Sequence, residues 1–172
     1  MLLTVNDIKV EVRAGTPADV PLLLTFIRQM ATFEKLSVSA TEESLHAALF
    51  GEAPAARALL TFVDGKPIGY ATYFFSFTSM MGRRALWLDD LFVDPAFRGK
   101  GIGKALMAYL ASIALENQCA RFEWIVLGWN TAAIEFYQGL GADVLADWRV
   151  CRADEGQLRR IASTLVVSPD AA

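Results

Sequence analysis

Apolar positions along this chain switch between a period of two and a period near 3.6, and the switches mark the elements. Residues 10–13 alternate as a short strand does. Thr16-Pro17-Ala18-Asp19 then supplies an N-cap, a proline in the first turn and an acid three residues after the cap, which predicts a helix to about Phe33. Thr41-Glu42-Glu43 starts a second, shorter helix that Gly51 can end. Residues 57–63 and 67–77 are β-rich and joined by Asp64-Gly65, a hairpin signal, and 84–93 is the third strand of an antiparallel meander. Beyond Asp94-Pro95 and a glycine-rich loop, Ile102, Leu106, Leu110 and Ile113 recur on one helical face, with the helix ending near Asn117. Residues 121–127 read as a strand, 131–140 as a helix closed by Gly141, 142–151 as extended again, and 154–164 as a last helix or turn before a loose SPDAA tail. This order predicts a mixed α/β (α+β) fold, with residues 1–172 forming one domain.

Composition narrows the chemistry. A chain of 172 residues is long enough to bury roughly 70% of its unfolded surface without staples. Apolar residues make up 54% of it without an uninterrupted apolar run of about 18, so no membrane span is expected. The start, MLLTVNDIK, is broken by Thr4, Asn6 and Asp7, unlike a signal peptide, and a cytoplasmic location is the expectation. Cys119, Cys151 and the single His46 supply neither a disulfide framework nor a zinc set, so no metal is expected and any acid or base must be Asp, Glu, Tyr, Lys or water. The balance of 16 Lys plus Arg against 19 Asp plus Glu leaves a charge of -3 and no basic run. That argues against nucleic acid as a partner and is compatible with a cationic substrate.

The most informative stretch is DPAFRGKGIGKALM, where Gly99, Gly101 and Gly103 alternate with cations directly before a helix. Such spacing lets backbone N–H groups converge, and the helix N-terminus adds roughly half a positive charge, so phosphate is the favoured guest. A nucleotide P-loop is excluded because Arg98 stands five residues before Gly103 and Ala105 stands where a Ser or Thr is needed. A dinucleotide fingerprint needs Gly-x-Gly-x-x-Gly after a first strand, which is not the pattern here.

What remains is Arg98-x-x-Gly101-x-Gly103 between a strand and an amphipathic helix, which resembles the coenzyme A pyrophosphate loop of the Gcn5-related N-acetyltransferase (GNAT) family. LWLDDLFVDPAFRGKGIGKALMAYLASIA resembles that family's strand, loop and helix, and LGWNTAAIEFYQGLGA its later motif. The resemblance implies a mostly antiparallel central sheet with helices on both faces and two splayed parallel strands, the fourth and fifth of the family's fold. It implies acetyl-coenzyme A as co-substrate and no metal. Arg98, Gly99, Lys100, Gly101, Ile102, Gly103 and Lys104 would hold the pyrophosphate. The backbone of Leu91, Phe92 and Val93 would meet the pantetheine arm and supply an oxyanion donor, with Asn130 and Ala133 on the cofactor side. Asn130 has a second reading as the cap of the helix it precedes.

The implied reaction is direct attack of an amine on the thioester. An alkyl amine with a pKa near 10.4 is neutral in only about one molecule per thousand at neutral pH, a handicap of roughly 4 kcal/mol, so proton removal needs help. Asp89 or Asp90 is the expected aid, and period-two alternation points at most one of them into a given cleft unless the strand bulges. Tyr137 matches the family's proposed general acid toward the departing sulfur.

More locally, LWLDDLFV, RGKGIG, GWNTAAIEFYQGLGA and QMATFEKL resemble the diamine or spermidine/spermine N-acetyltransferase branch, which implies substrate contacts at Phe33, Glu34, Asp89 and Asp90 and a homodimer. Trp129 and Trp148 read as core residues first and cation-π faces second. Two departures bear on the substrate. Asp89 stands where that branch has Glu, favouring a water relay, and the loop SFTSMMGRR carries Arg83 and Arg84 where the branch has an acidic and aromatic anchor. A lysine-like amino acid or another small primary amine therefore fits as well as a polyamine. A non-catalytic acyl-coenzyme A sensor and a protein or peptide acetyltransferase are the alternatives.

Overall fold

The computed structural model describes residues 1–165. It divides into two compact units, the first ending at Leu127 and the second starting at Gly128.

In the first unit six strands form one sheet in the order β1 to β6: β1 Leu2–Val5, β2 Ile8–Ala14, β3 Arg57–Val63, β4 Lys66–Thr78, β5 Arg83–Val93 and β6 Phe122–Glu123. Every pairing is antiparallel except β5 with β6. β1 is an element that the hydrophobic pattern did not predict. Its partner turn is Asn6-Asp7, both residues at positive φ and flanked by the Val5–Ile8 pair, the geometry of a two-residue hairpin turn that Asn and Asp tolerate.

The helices are α1 Val20–Glu34, α2 Glu42–Phe50 and α3 Ile102–Glu116. Leu23 and Phe26 of α1 and Leu49 of α2 bury themselves with Ala58, Leu60, Tyr70 and Phe92 of the sheet. Alternation then turns Leu59, Ala71 and Val93 to the opposite face. There Ile102, Leu106 and Leu110 of α3 lie fully buried, with α3 packing on β5 and β1. Helices on both sheet faces are thus as expected.

Residues 121–127 do not form the strand expected of them. Only Phe122 and Glu123 pair, with Leu86 and Trp87. A β-bulge in β5 two residues further on bends that strand, and a ladder cannot follow a partner that turns away.

The second unit holds α4 Thr131–Gly139 and α5 Glu155–Ala162. The extended strand expected at 142–151 is absent among the described residues, where the segment has only a turn at Ala146-Asp147 and no ladder. Its apolar residues Val144, Leu145 and Val150 are exposed, and β-propensity without a paired edge does not make a strand. Trp129 and Trp148 are 54% and 76% exposed and lie outside any strand, so the core reading of these two residues is overturned. The SPDAA tail lies outside the described residues.

Candidate active site

The bulge decides what Asp89 and Asp90 can do. Asp90 pairs with Thr72 and Leu88 with Tyr73, leaving Asp89 as the extra residue. Two residues then oppose one, so both carboxylates share the side of the sheet that regular alternation would have divided between them. That side is the one facing α1, because Tyr70, stacked on Phe26 of α1 with centroids 6.0 Å apart, donates its hydroxyl to Asp90 Oδ2 at 2.9 Å. The same hydroxyl lies 3.7 Å from Met30 Sδ.

This neighbourhood raises the proton affinity of every acid whose shift is resolved. Burial, then the charge of Asp89, pushes the Asp90 carboxyl up to about 6, while the Tyr70 hydrogen bond pulls the other way and Glu34 adds a further push. Glu34, the last residue of α1, is raised by its own burial. Tyr70 is driven far above the ordinary phenol range, first by burial and then by Asp90, so it stays a donor. A partly sheltered carboxylate with a pKa near neutrality is suited to accept a proton at pH 7.

Among the described residues the edge of β5 that faces β6 has ladder partners at Leu86 and Trp87, with the Arg84 carbonyl also accepting from the Ala120 amide. Leu91, Phe92 and Val93 therefore lie on a stretch of β5 paired with β4 alone, the kind of open edge that an extended arm can join. Beyond it Asp94 caps a short turn by accepting from the Ala96 amide at 2.8 Å. Gly99 and Gly101 follow with φ of 72° and 84°, and Gly101 is the N-cap of α3. A Cβ at Gly101 would come within 3.0 Å of Val5 Cγ1, while one at Gly99 would meet nothing within 4 Å. Asn6 Nδ2 donates to the Lys100 carbonyl at 3.2 Å, tying the β1–β2 turn to the loop. The first-turn amides of Ile102, Gly103 and Lys104 have no acceptor within the helix. A glycine cradle with free helix amides and exposed cations fits a pyrophosphate.

Arg98 is less simply a phosphate ligand than its place in the motif implies. Its Nε donates to the Val93 carbonyl at 2.9 Å, and its guanidinium carbon lies 4.9 Å from the Phe33 ring centroid and 5.7 Å from that of Phe92. The side chain thus links the loop to the end of α1, where Phe33 and Glu34 sit. Sequence reasoning missed Tyr70 and Asn6. A strand tyrosine carries no signal of its own, whereas Asn6-Asp7 had the composition of a tight turn.

In the second unit Asn130 is the N-cap of α4, its Oδ1 accepting from the Ala133 amide at 3.3 Å. Of its two readings, the capping one is therefore present. Tyr137 is half-buried on α4, its ring 5.2 Å from that of Phe136. Among the described residues no group of three or more His, Cys, Asp or Glu could hold a metal ion, and no helix is long and apolar enough to cross a membrane.

The site thus joins a mostly antiparallel sheet with one two-residue parallel edge to a glycine cradle at the next helix, an α/β arrangement suited to an extended ligand that carries phosphate. The sequence pattern of the Acetyltransferase (GNAT) family matches residues 24–142. Thialysine N-epsilon-acetyltransferase of Bos taurus is 34% identical over 166 residues, covering 89% of this chain and 97% of that protein. L-ornithine N5-acetyltransferase of Arabidopsis thaliana is 28% identical over 197 residues, covering 87% of this chain and 86% of that one. An integron cassette protein from the mobile metagenome of V. cholerae is similar in structure, with a TM-score of 0.74 at 29% identity over 89% of this chain and 97% of that chain. The chain belongs to the GNAT family and is an N-acetyltransferase.

Proposed function

We propose that this enzyme acetylates the terminal primary amine of a small cationic amino acid of the lysine, thialysine or ornithine kind, using acetyl-coenzyme A. The observation that carries the reading is the acidic group on the α1 side of the sheet: Asp90 held by Tyr70, with Asp89 and Glu34 close enough to raise its proton affinity. Three carboxyl groups favour a cationic acceptor. Both curated relatives described above are named for amino acids with a terminal amine.

Coenzyme A supplies the acetyl thioester, and the glycine cradle from Gly99 to Lys104 is suited to its pyrophosphate. The amine nitrogen forms the new bond to the acetyl carbon as the carbon–sulfur bond breaks. Asp90 takes the ammonium proton, directly or through a water beside Asp89, and Tyr137 gives its proton to the departing sulfur. The two compact units are read as one catalytic domain, because the family pattern runs across their boundary. A cytoplasmic location, from the absence of an apolar span or signal-like start in the sequence, and a homodimer, by resemblance to the polyamine branch, complete the reading.

The test is thiol release from acetyl-coenzyme A with thialysine, lysine, ornithine, putrescine, spermidine and a peptide amine offered in parallel. Fastest release with an amino acid is expected, and Asp90→Asn and Tyr137→Phe are expected to lose turnover with coenzyme A affinity unchanged. Release confined to polyamines would move the substrate, and full turnover in both variants would remove the assigned roles.

A further inference from the structure

Two ammonium groups converge on one aromatic ring beside the glycine cradle. Lys66, the first residue of β4, places Nζ 5.5 Å from the Phe97 centroid, and Lys100 places its own 5.0 Å from the same ring. They come from segments that the fold brings together: the β3–β4 hairpin carries Lys66, the cradle carries Lys100, and Phe97 ends the turn between β5 and that cradle. Both lysines are exposed, Phe97 is half-buried, and neither lysine forms an ion pair among the described residues. The Lys100 backbone is itself pinned by Asn6. Two exposed ammonium groups beside one ring, neither in an ion pair among the described residues, give that end of the cradle a positive charge that an anion can meet.

The cradle accounts for two phosphoryl groups of the co-substrate. Coenzyme A carries a third, on the ribose 3′ oxygen, which is close to dianionic at neutral pH because a phosphate monoester's second pKa is near 6. We infer that Lys66 and Lys100, steadied on Phe97, receive this 3′-phosphoryl group, so that the enzyme selects coenzyme A over its 3′-dephospho form. The inference rests on the acetyl-coenzyme A reading above. The face of Phe97 orients the ammonium groups as cation-π partners, and a lysine needs no fixed fork to bind a phosphate as a point charge.

Lys66 lies outside the cradle, so Lys66→Gln leaves the glycine loop intact. Calorimetric titration of the wild type, Lys66→Gln, Lys100→Gln and Lys66→Arg with coenzyme A and 3′-dephospho-coenzyme A measures the selection without turnover. The wild type is expected to bind coenzyme A about tenfold more tightly than the dephospho form, the scale of one charged hydrogen bond. Lys66→Gln should lose most of that ratio by weakening coenzyme A alone. Lys100→Gln, whose lysine also belongs to the cradle, should weaken both ligands and coenzyme A the more, and Lys66→Arg should keep the ratio. Equal weakening of both ligands by Lys66→Gln, or no preference in the wild type, overturns the assignment, and thiol release from acetyl-coenzyme A in that case leaves the catalytic reading standing. Failure of the wild type to bind either ligand overturns both.

Discussion

The Tyr70 hydroxyl donates to Asp90 Oδ2 at 2.9 Å across the β4–β5 ladder, from a ring buried against Phe26 and Phe92. It holds a carboxyl group whose proton affinity burial has already raised to a pKa of about 6. The hydrogen bond orients the acceptor oxygen and keeps part of the carboxylate's stabilisation. A base placed this way is ionised at pH 7 and still strong enough to take a proton.

Asp90 should therefore set the acidic limb of turnover. Its folded pKa lies above the ordinary carboxylate value, so its proton stabilises the folded state below about pH 4, and that contribution is lost as pH rises through about 6. Asp90→Asn should abolish the limb near pH 6 in the kcat profile. It should also unfold at higher temperature than the wild type at pH 8, by up to about 3 kcal/mol, with the gain vanishing below pH 4. An unchanged pH profile in the variant would assign the base elsewhere.

The two positive-φ glycines of the cradle should respond differently to a methyl group. Gly101→Ala sets a Cβ 3.0 Å from Val5 Cγ1 and 3.4 Å from Asn6 Nδ2 at φ 84°, so the hairpin turn must give way as well as the backbone. Gly99→Ala meets no atom within 4 Å and carries only the left-handed backbone cost. Each should lose about 1–2 kcal/mol from that cost, with Gly101→Ala the more destabilised. Thermal melts of both variants check the order.

Arg98 bonds the Val93 carbonyl and lies over Phe33 and Phe92. Arg98→Lys keeps the charge and loses the guanidinium over the two rings and the Nε donor. If the guanidinium holds Phe33 toward the amine, KM for the amine should rise roughly five- to tenfold, on the scale of about 1 kcal/mol for such contacts, with KM for acetyl-coenzyme A changing less. The reverse split would make Arg98 a phosphate ligand first.

Away from the site, Arg13 grips Asp19 with two hydrogen bonds of 2.7 and 2.8 Å, and the Thr16 amide and hydroxyl also donate to Asp19. The Arg13 hydrogen bond holds that carboxyl well below the ordinary range, outweighing burial. A depressed carboxyl stabilises the fold above its unfolded pKa and loses that contribution as pH falls through the folded value. Asp19→Asn should cost about 2 kcal/mol at pH 7, measured by urea unfolding. The difference should shrink below about pH 4, where the unfolded carboxyl of the wild type takes up its proton.

Much of this was legible in the chain itself. The cradle declared itself because a backbone at positive φ beside a helix start selects glycine, and Gly99 and Gly101 do take that conformation. The meander and α1 to α4 were readable from periodicity and caps, such as Thr41 accepting from the Ser44 amide at 3.1 Å. The β1–β2 hairpin was hidden because four residues are too few to show a period, and its Asn6-Asp7 signal interrupts the only apolar run there.

The sequence by itself determined the residue types of the site and their order: the paired acids, the glycine loop, and the capped helix with its tyrosine. These follow from local rules, in which φ, spacing and side-chain chemistry act over a few positions. Only the tertiary structure decided that Asp89 and Asp90 share a face, that Tyr70 holds Asp90, that Arg98 turns to Phe33, and that Lys66 meets Lys100 on Phe97. A bulge, a hydrogen bond between strands and a cation on a distant ring each depend on which backbone lies alongside, and that is settled by packing across many residues of intervening chain.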